Sequence, residues 1–209
     1  VWGDSYTSDG LMLAGLSRLK IAGRTFPAIC NSIFEIGLLD LFIGLCIRGS
    51  FTRAGVLRVT PGWPLPKIIN RGGQGDVGDC RVSARVRIEC WKGAVVNIGK
   101  GTFLNRGVEI IASKSVYIGT DCKIARDVII MDTDQHSIDG SNIQMKPVRI
   151  EDRVWLGARA IVLKGVSIGH DSVIGVGAIV TKSVPPFSLL VSPAASVIMT
   201  RSPSTPVQV

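Results

Sequence analysis

The sequence is poor in histidine: His136 and His170 are the only two in 209 residues, so one chain cannot build a three-histidine metal site. Its five cysteines (Cys30, Cys46, Cys80, Cys90 and Cys122) are scattered, odd in number and without a CxxC pair. That argues against a zinc ribbon and a disulfide framework alike and fits a reducing compartment. No run reaches the roughly 18–20 apolar residues of a spanning helix, and the nearest, residues 33–47, is broken by Glu35 and Asp40. The opening VWGDSYTSDG lacks a basic stretch ahead of an apolar core and does not read as a signal peptide. Aromatics are only 6% against an apolar share of 46% and 24 glycines, which excludes a disordered chain and favours a β-rich, turn-rich one. Acid is the scarcer charge, 16 residues against 24 basic, and the net +8 calls for an anionic partner: phosphate, an acidic glycan or a membrane surface. The basic residues form no aromatic-interleaved patch, which argues against nucleic acid.

What the chain does have is a repeat. An aliphatic residue returns every six positions: Ile98, Leu104, Ile110; Ile118, Ile124, Ile130; then Ile150, Leu156, Val162, Ile168, Ile174 and Val180. The residue after it is often small or polar (Gly99, Asn105, Gly119, Gly157, Gly175), and the fifth residue is small or β-branched (Thr102, Val108, Cys122, Val154, Ala160, Ala178). Six divides by two but not by 3.6, so short strands keep these aliphatics on one face where a helix would smear them. The pattern predicts an all-β solenoid whose short parallel strands hydrogen-bond from coil to coil. Units around Val82 and Ile88 read as weaker and out of phase.

Two phase breaks interrupt the rhythm. Ile110 to Ile118 is a step of eight, and Ile130 to Ile150 a step of twenty, which marks residues 132–147 as a loop leaving the coil. Residues 1–50 mix helix-like apolar spacing with Gly and Pro and predict a partly helical cap, an oligomerisation element or a membrane-proximal region. The solenoid domain is assigned to residues 51–187 and a Pro- and Ser-rich tail to 188–209.

Residues 95–187 resemble the hexapeptide-repeat acyltransferases, in particular the sugar and polysaccharide O-acetyltransferases. The resemblance is carried by DTDQH (132–136), by IEDRVWLG (150–157) and by VLKGVSIGHDSVIGVGAIVTKSVPP (162–186). It implies a left-handed parallel β-helix, a homotrimer with active sites between subunits, and transfer of an acetyl group from acetyl-CoA to a carbohydrate hydroxyl without a metal. The acceptor it suggests is a bacterial surface polysaccharide or its precursor, with the protein cytoplasmic or at the inner face of the membrane.

The resemblance assigns His136 as general base, because an alcohol is a poor nucleophile at neutral pH and imidazole titrates near it. Asp134, and after it Asp132, would orient that imidazole or touch substrate, unless they cap the loop through backbone bonds. Trp155 falls at the cleft beside the acceptor or packs between subunits. Asn105 contacts the acceptor or merely turns a corner. Gly157, Ala158, Gly175 and Val176 would lie along the pantetheine arm, with a backbone N–H near Gly157 or Ala158 facing the oxyanion. Thr181 and Lys182 would meet the nucleotide end, Lys182 as a point charge on phosphate. His170 reads as solvent-facing. After V-P-P this chain has VSPAASV (191–197) where relatives carry G-x-P-A-[KR]-x-[IL], so the glycine and the basic residue are missing. Acetylation of a small molecule and a non-catalytic scaffold are the competing readings.

Overall fold

The computed structural model describes residues 49–60, 64–137, 140 and 142–192, and the backbone of Lys20–Ile21, Arg24–Thr25 and Ser196–Thr200. The expected helical part of the cap lies outside these residues, and among them there is no helix.

Short strands stack into three parallel sheets that form the faces of a prism. Face one runs through Arg53–Ala54, Gln74–Val77, Val95–Ile98, Ser115–Ile118, Val148–Ile150 and Ser167–Ile168. Face two runs through Leu57–Val59, Cys80–Val82, Phe103–Leu104, Lys123–Ile124, Trp155–Leu156, Val173–Ile174 and Ser188–Val191, with Ser196–Thr200 added antiparallel. Face three runs through Lys67–Asn70, Arg87–Cys90, Glu109–Ala112, Ile129–Met131, Ile161–Val162 and Ile179–Val180. The chain turns a first corner from face one to two, a second from two to three, and a third from three back to one.

The hexad aliphatics are the core. Ile98, Ile118, Ile150 and Ile168 form one buried column, Leu104, Ile124, Leu156 and Ile174 another, and Ile110, Ile130, Val162 and Val180 the third. Each such side chain contributes roughly 1.5–3 kcal/mol on burial. The fifth-position residues are buried too, at the corners, and polar ones are satisfied there: the Thr102 hydroxyl donates to the Gly119 carbonyl at 2.8 Å and accepts from the Cys122 N–H at 3.1 Å.

The units around Val82 and Ile88 prove to be in register. Val82 pairs with Leu104 and Ile88 with Ile110, both across steps of 22 residues. Their extra residues are taken up at the corners, as at Trp91, Lys92, Gly93 and Ala94, where the Ala94 N–H donates back to the Trp91 carbonyl at 2.9 Å. Among the described residues the solenoid therefore begins at Arg53, well before the clear sequence repeat.

Candidate active site

The loop after Ile129–Met131 leaves the third corner as a tongue whose stem is zipped. Thr133 bridges Met145 antiparallel, the Lys146 N–H donates to the Asp132 carbonyl at 2.9 Å, and the Asp134 N–H donates to Gln144 at 3.3 Å. Beyond the stem the chain bends sharply. Gln135 takes a positive φ of 60°, its N–H donating to the Thr133 hydroxyl at 3.1 Å, and the His136 N–H closes a tight turn on the Asp134 carbonyl at 2.7 Å. His136 is left exposed on this tongue, a placement open to a reacting hydroxyl.

Neither expected aspartate touches the imidazole. Asp132 is fully buried, and its carboxylate accepts the N–H groups of Ser113, Lys114 and Ser115 at 2.7, 2.7 and 2.6 Å. It anchors the tongue to the preceding coil. The Asp134 carboxylate pairs with the Lys164 ammonium one coil on, where it braces the stem instead of orienting His136. Lys164 escaped the sequence reading because it looks like one more solvated lysine thirty residues downstream.

The other expected site residues sit elsewhere on the prism. Asn105, Gly157, Ala158, Gly175 and Val176 lie at the second corner, and half-buried Trp155 on face two leads into it. Thr181 and Lys182 are exposed at the third corner with the tongue. Face three separates the two groups, so a single chain does not bring His136 to Trp155 or Gly157. Asn105 turns its corner, its side-chain oxygen accepting the Arg106 N–H at 2.7 Å.

Gly157 is small for a reason internal to the coil. A Cβ there would stand 2.7 Å from both the Ile174 carbonyl oxygen and the Val176 nitrogen of the next coil. Its N–H is already given to that Ile174 carbonyl at 2.7 Å, and the Gly175 N–H to Leu190 at 2.6 Å. Gly157 is thereby removed as an oxyanion donor. The Ala158 N–H has no such bond among the described residues.

Apolar side chains gather on either side of face three. Ile129, Ile161 and Ile179 point outward in register along it. Val176 (67% exposed) stands at the second corner, and Ile143 and Met145 on the tongue at the third.

His170 is not simply solvent-facing. Its Nδ1 lies 2.8 Å from the Asp171 carboxylate and its ring meets Phe187 edge-on at 4.9 Å. Arg153, bidentate on Asp171 at 2.8 Å, and His170 hold that carboxyl down at about 2. Burial pushes the Cys122 thiol up to about 11 and the Cys80 thiol to about 12, so neither is a thiolate nucleophile at neutral pH. No group of three metal-ligating side chains occurs among the described residues.

Residues 147–182 match the family described as the hexapeptide repeat of succinyl-transferase. A galactoside O-acetyltransferase of Lactococcus lactis is 37% identical over 99 residues, 44% of this chain and 47% of that one. A polysialic acid O-acetyltransferase of Escherichia coli is 41% identical over 100 residues, 45% of this chain and 33% of that one. These matches thus span half or less of the relatives' own length. Among solved structures, a hexapeptide-repeat acetyltransferase of Vibrio cholerae superposes with a TM-score of 0.58 at 24% identity, covering 83% of this chain and 89% of that one, which is a likeness of fold.

Proposed function

From the premise that this chain is a hexapeptide-repeat β-helix protein similar to sugar O-acetyltransferases, we propose that it moves an acetyl group from acetyl-CoA to a carbohydrate hydroxyl. The observation that carries the reading is the division of the site between two corners flanking a face that is apolar along its later coils. In a three-fold ring with face three turned to the axis, the third corner of each copy meets the second corner of the next. That packing covers Ile129, Ile161 and Ile179 and seats the tongue's Ile143 and Met145 near the neighbour's Val176. It also carries His136 to the neighbour's Trp155, Asn105 and Ala158, completing a site that one chain lacks.

In that site His136 takes the proton of the acceptor hydroxyl as its oxygen attacks the thioester carbonyl. The tetrahedral oxyanion forms beside the Ala158 N–H, a donor worth about 2.7–4 kcal/mol when preorganised. Collapse expels the CoA thiolate, which leaves with a proton, and the acceptor keeps the acetyl ester. Lys182 and Thr181 lie at the third corner for the donor's phosphates. A polysaccharide or its precursor is the proposed acceptor, because His136 stands on an open tongue and not in a closed pocket.

Purified protein assayed for thiol release from acetyl-CoA, with a panel of sugars and polysaccharides, tests this directly. His136→Ala is expected to lower the rate by about 10²–10⁴ with CoA affinity unchanged. Full activity in that variant would sink the proposal. The altered 191–197 segment favours a scaffold role as the second reading, and calorimetry without any CoA binding would support it.

A further inference from the structure

Face two carries a column of outward side chains, one from each strand, in strict register. Arg58 is the cross-strand partner of Arg81, Arg81 of Phe103, Phe103 of Lys123, and Lys123 of Trp155. The rungs are spaced at the inter-strand distance of about 4.8 Å. Arg58, Arg81 and Lys123 are exposed, and none makes an ion pair among the described residues. On the other faces Arg87 is paired with Glu89 and Arg149 lies 3.9 Å from Glu151, while exposed Arg53 and Lys67 make no ion pair among the described residues; only face two lines up three unpaired cations in one column.

Two arginines directly opposite one another repel, at a cost, unless something anionic lies between them and solvent. Beside the column the corner forms an open cleft of about 660 Å³, also lined by Lys100, Asp79 and Asp121. Asp79 is occupied, accepting the Val56 N–H at 2.7 Å. Four cations therefore face two carboxylates, one of them committed to the backbone. Phe103 lies in mid-column with Arg81 over its ring at 5.8 Å, and Trp155 ends the run at the candidate site.

We propose that face two is the track of an extended acidic polysaccharide. Its carboxylates pair with Arg58, Arg81 and Lys123, a sugar ring lies on Phe103, and the chain passes over Trp155 towards the transfer site. Sugar rings present an apolar C–H face that suits an aromatic surface, and an extended pyranose chain repeats near the pitch of the rungs. Interleaved cation and aromatic rungs match such a ligand rung for residue, and charge of one sign raises its local concentration. This rests on the acetyl-transfer reading for its direction but not for its binding chemistry.

The full chain is titrated by calorimetry with a galacturonic acid decamer, with maltoheptaose as the neutral control and a single-stranded thymidine oligonucleotide as the rival polyanion. The decamer is expected to bind, and to bind at least tenfold more weakly when salt rises from about 50 to about 500 mM. The variant R58S/R81S/K123S should lose at least about tenfold in decamer affinity, while Lys123→Arg keeps it and Phe103→Ala weakens it. These side chains point outward, and the thermal unfolding midpoint of each variant checks that the coil is intact. No decamer binding, equal binding of maltoheptaose, tighter binding of the oligonucleotide, or an unchanged affinity in the triple variant would each overturn the proposal. A protein that binds the decamer through these residues yet releases no thiol supports the track and sinks the transfer reading. One that acetylates a neutral sugar and ignores the decamer sinks the track alone.

Discussion

Asp132 gathers three backbone N–H groups on one buried carboxylate, at distances of 2.6–2.7 Å. Hydrogen bonds to a charged acceptor contribute about 1.5–3 kcal/mol each before they are shared. Asp132→Ala leaves three donors without an acceptor inside the coil and is expected to lower stability by about 3 kcal/mol or more. Asp132→Asn is no remedy, because its amide turns donors toward donors. A shift of the urea midpoint measures both, and an unchanged midpoint for Asp132→Ala would refute the anchor. The DTDQH string made His136 legible from the sequence but could not divide the work of its two aspartates. That division depends on where each carboxylate lands: Asp132 on the preceding coil and Asp134 on Lys164.

The element of this fold is the coil, and its tolerance is set where backbones approach. At Gly157 the next coil leaves no room for a methyl group. Gly157→Ala is expected to cost about 1–3 kcal/mol through overpacking, read as a lower thermal midpoint without any ligand. A variant that keeps its midpoint and loses only CoA affinity would return Gly157 to a ligand role. The repeat from Ile98 to Val180 was legible because six-residue steps dominate it. Val82 and Ile88 were not, since coils of 22 residues place the surplus at corners, where side-chain periodicity leaves no trace. Face two's track was equally hidden. Its residues come one before each inward aliphatic, and only the register across coils brings them into line.

For the whole molecule the three faces differ in chemistry, with polar and charged side chains on face one, cations and aromatics on face two, and outward isoleucines on the later coils of face three. An ionised residue on the last strand of face three, among the outward isoleucines, should stop copies from meeting there. If copies pack through face three as proposed, Ile179→Asp, at a position 48% exposed and therefore harmless to the core, is expected to sediment as a monomer where the unsubstituted chain sediments as a trimer. Thiol release should fall in parallel, because the two halves of the site no longer meet. A monomeric variant with full activity would refute the shared site. The +8 net charge, which the sequence could count but not place, finds part of its location on face two.

Parallel stacking gives the solenoid one more property. A coil touches only the coils above and below it, so the level of His136 is independent of how many coils precede it. A strand added or removed at the Arg53 end would lengthen or shorten the face-two column by one rung and leave the tongue, its Asp132 anchor and the Trp155 level unchanged. On the proposed reading, the length of polymer held and the chemistry done upon it would be separate modules of one chain, each open to change without disturbing the other.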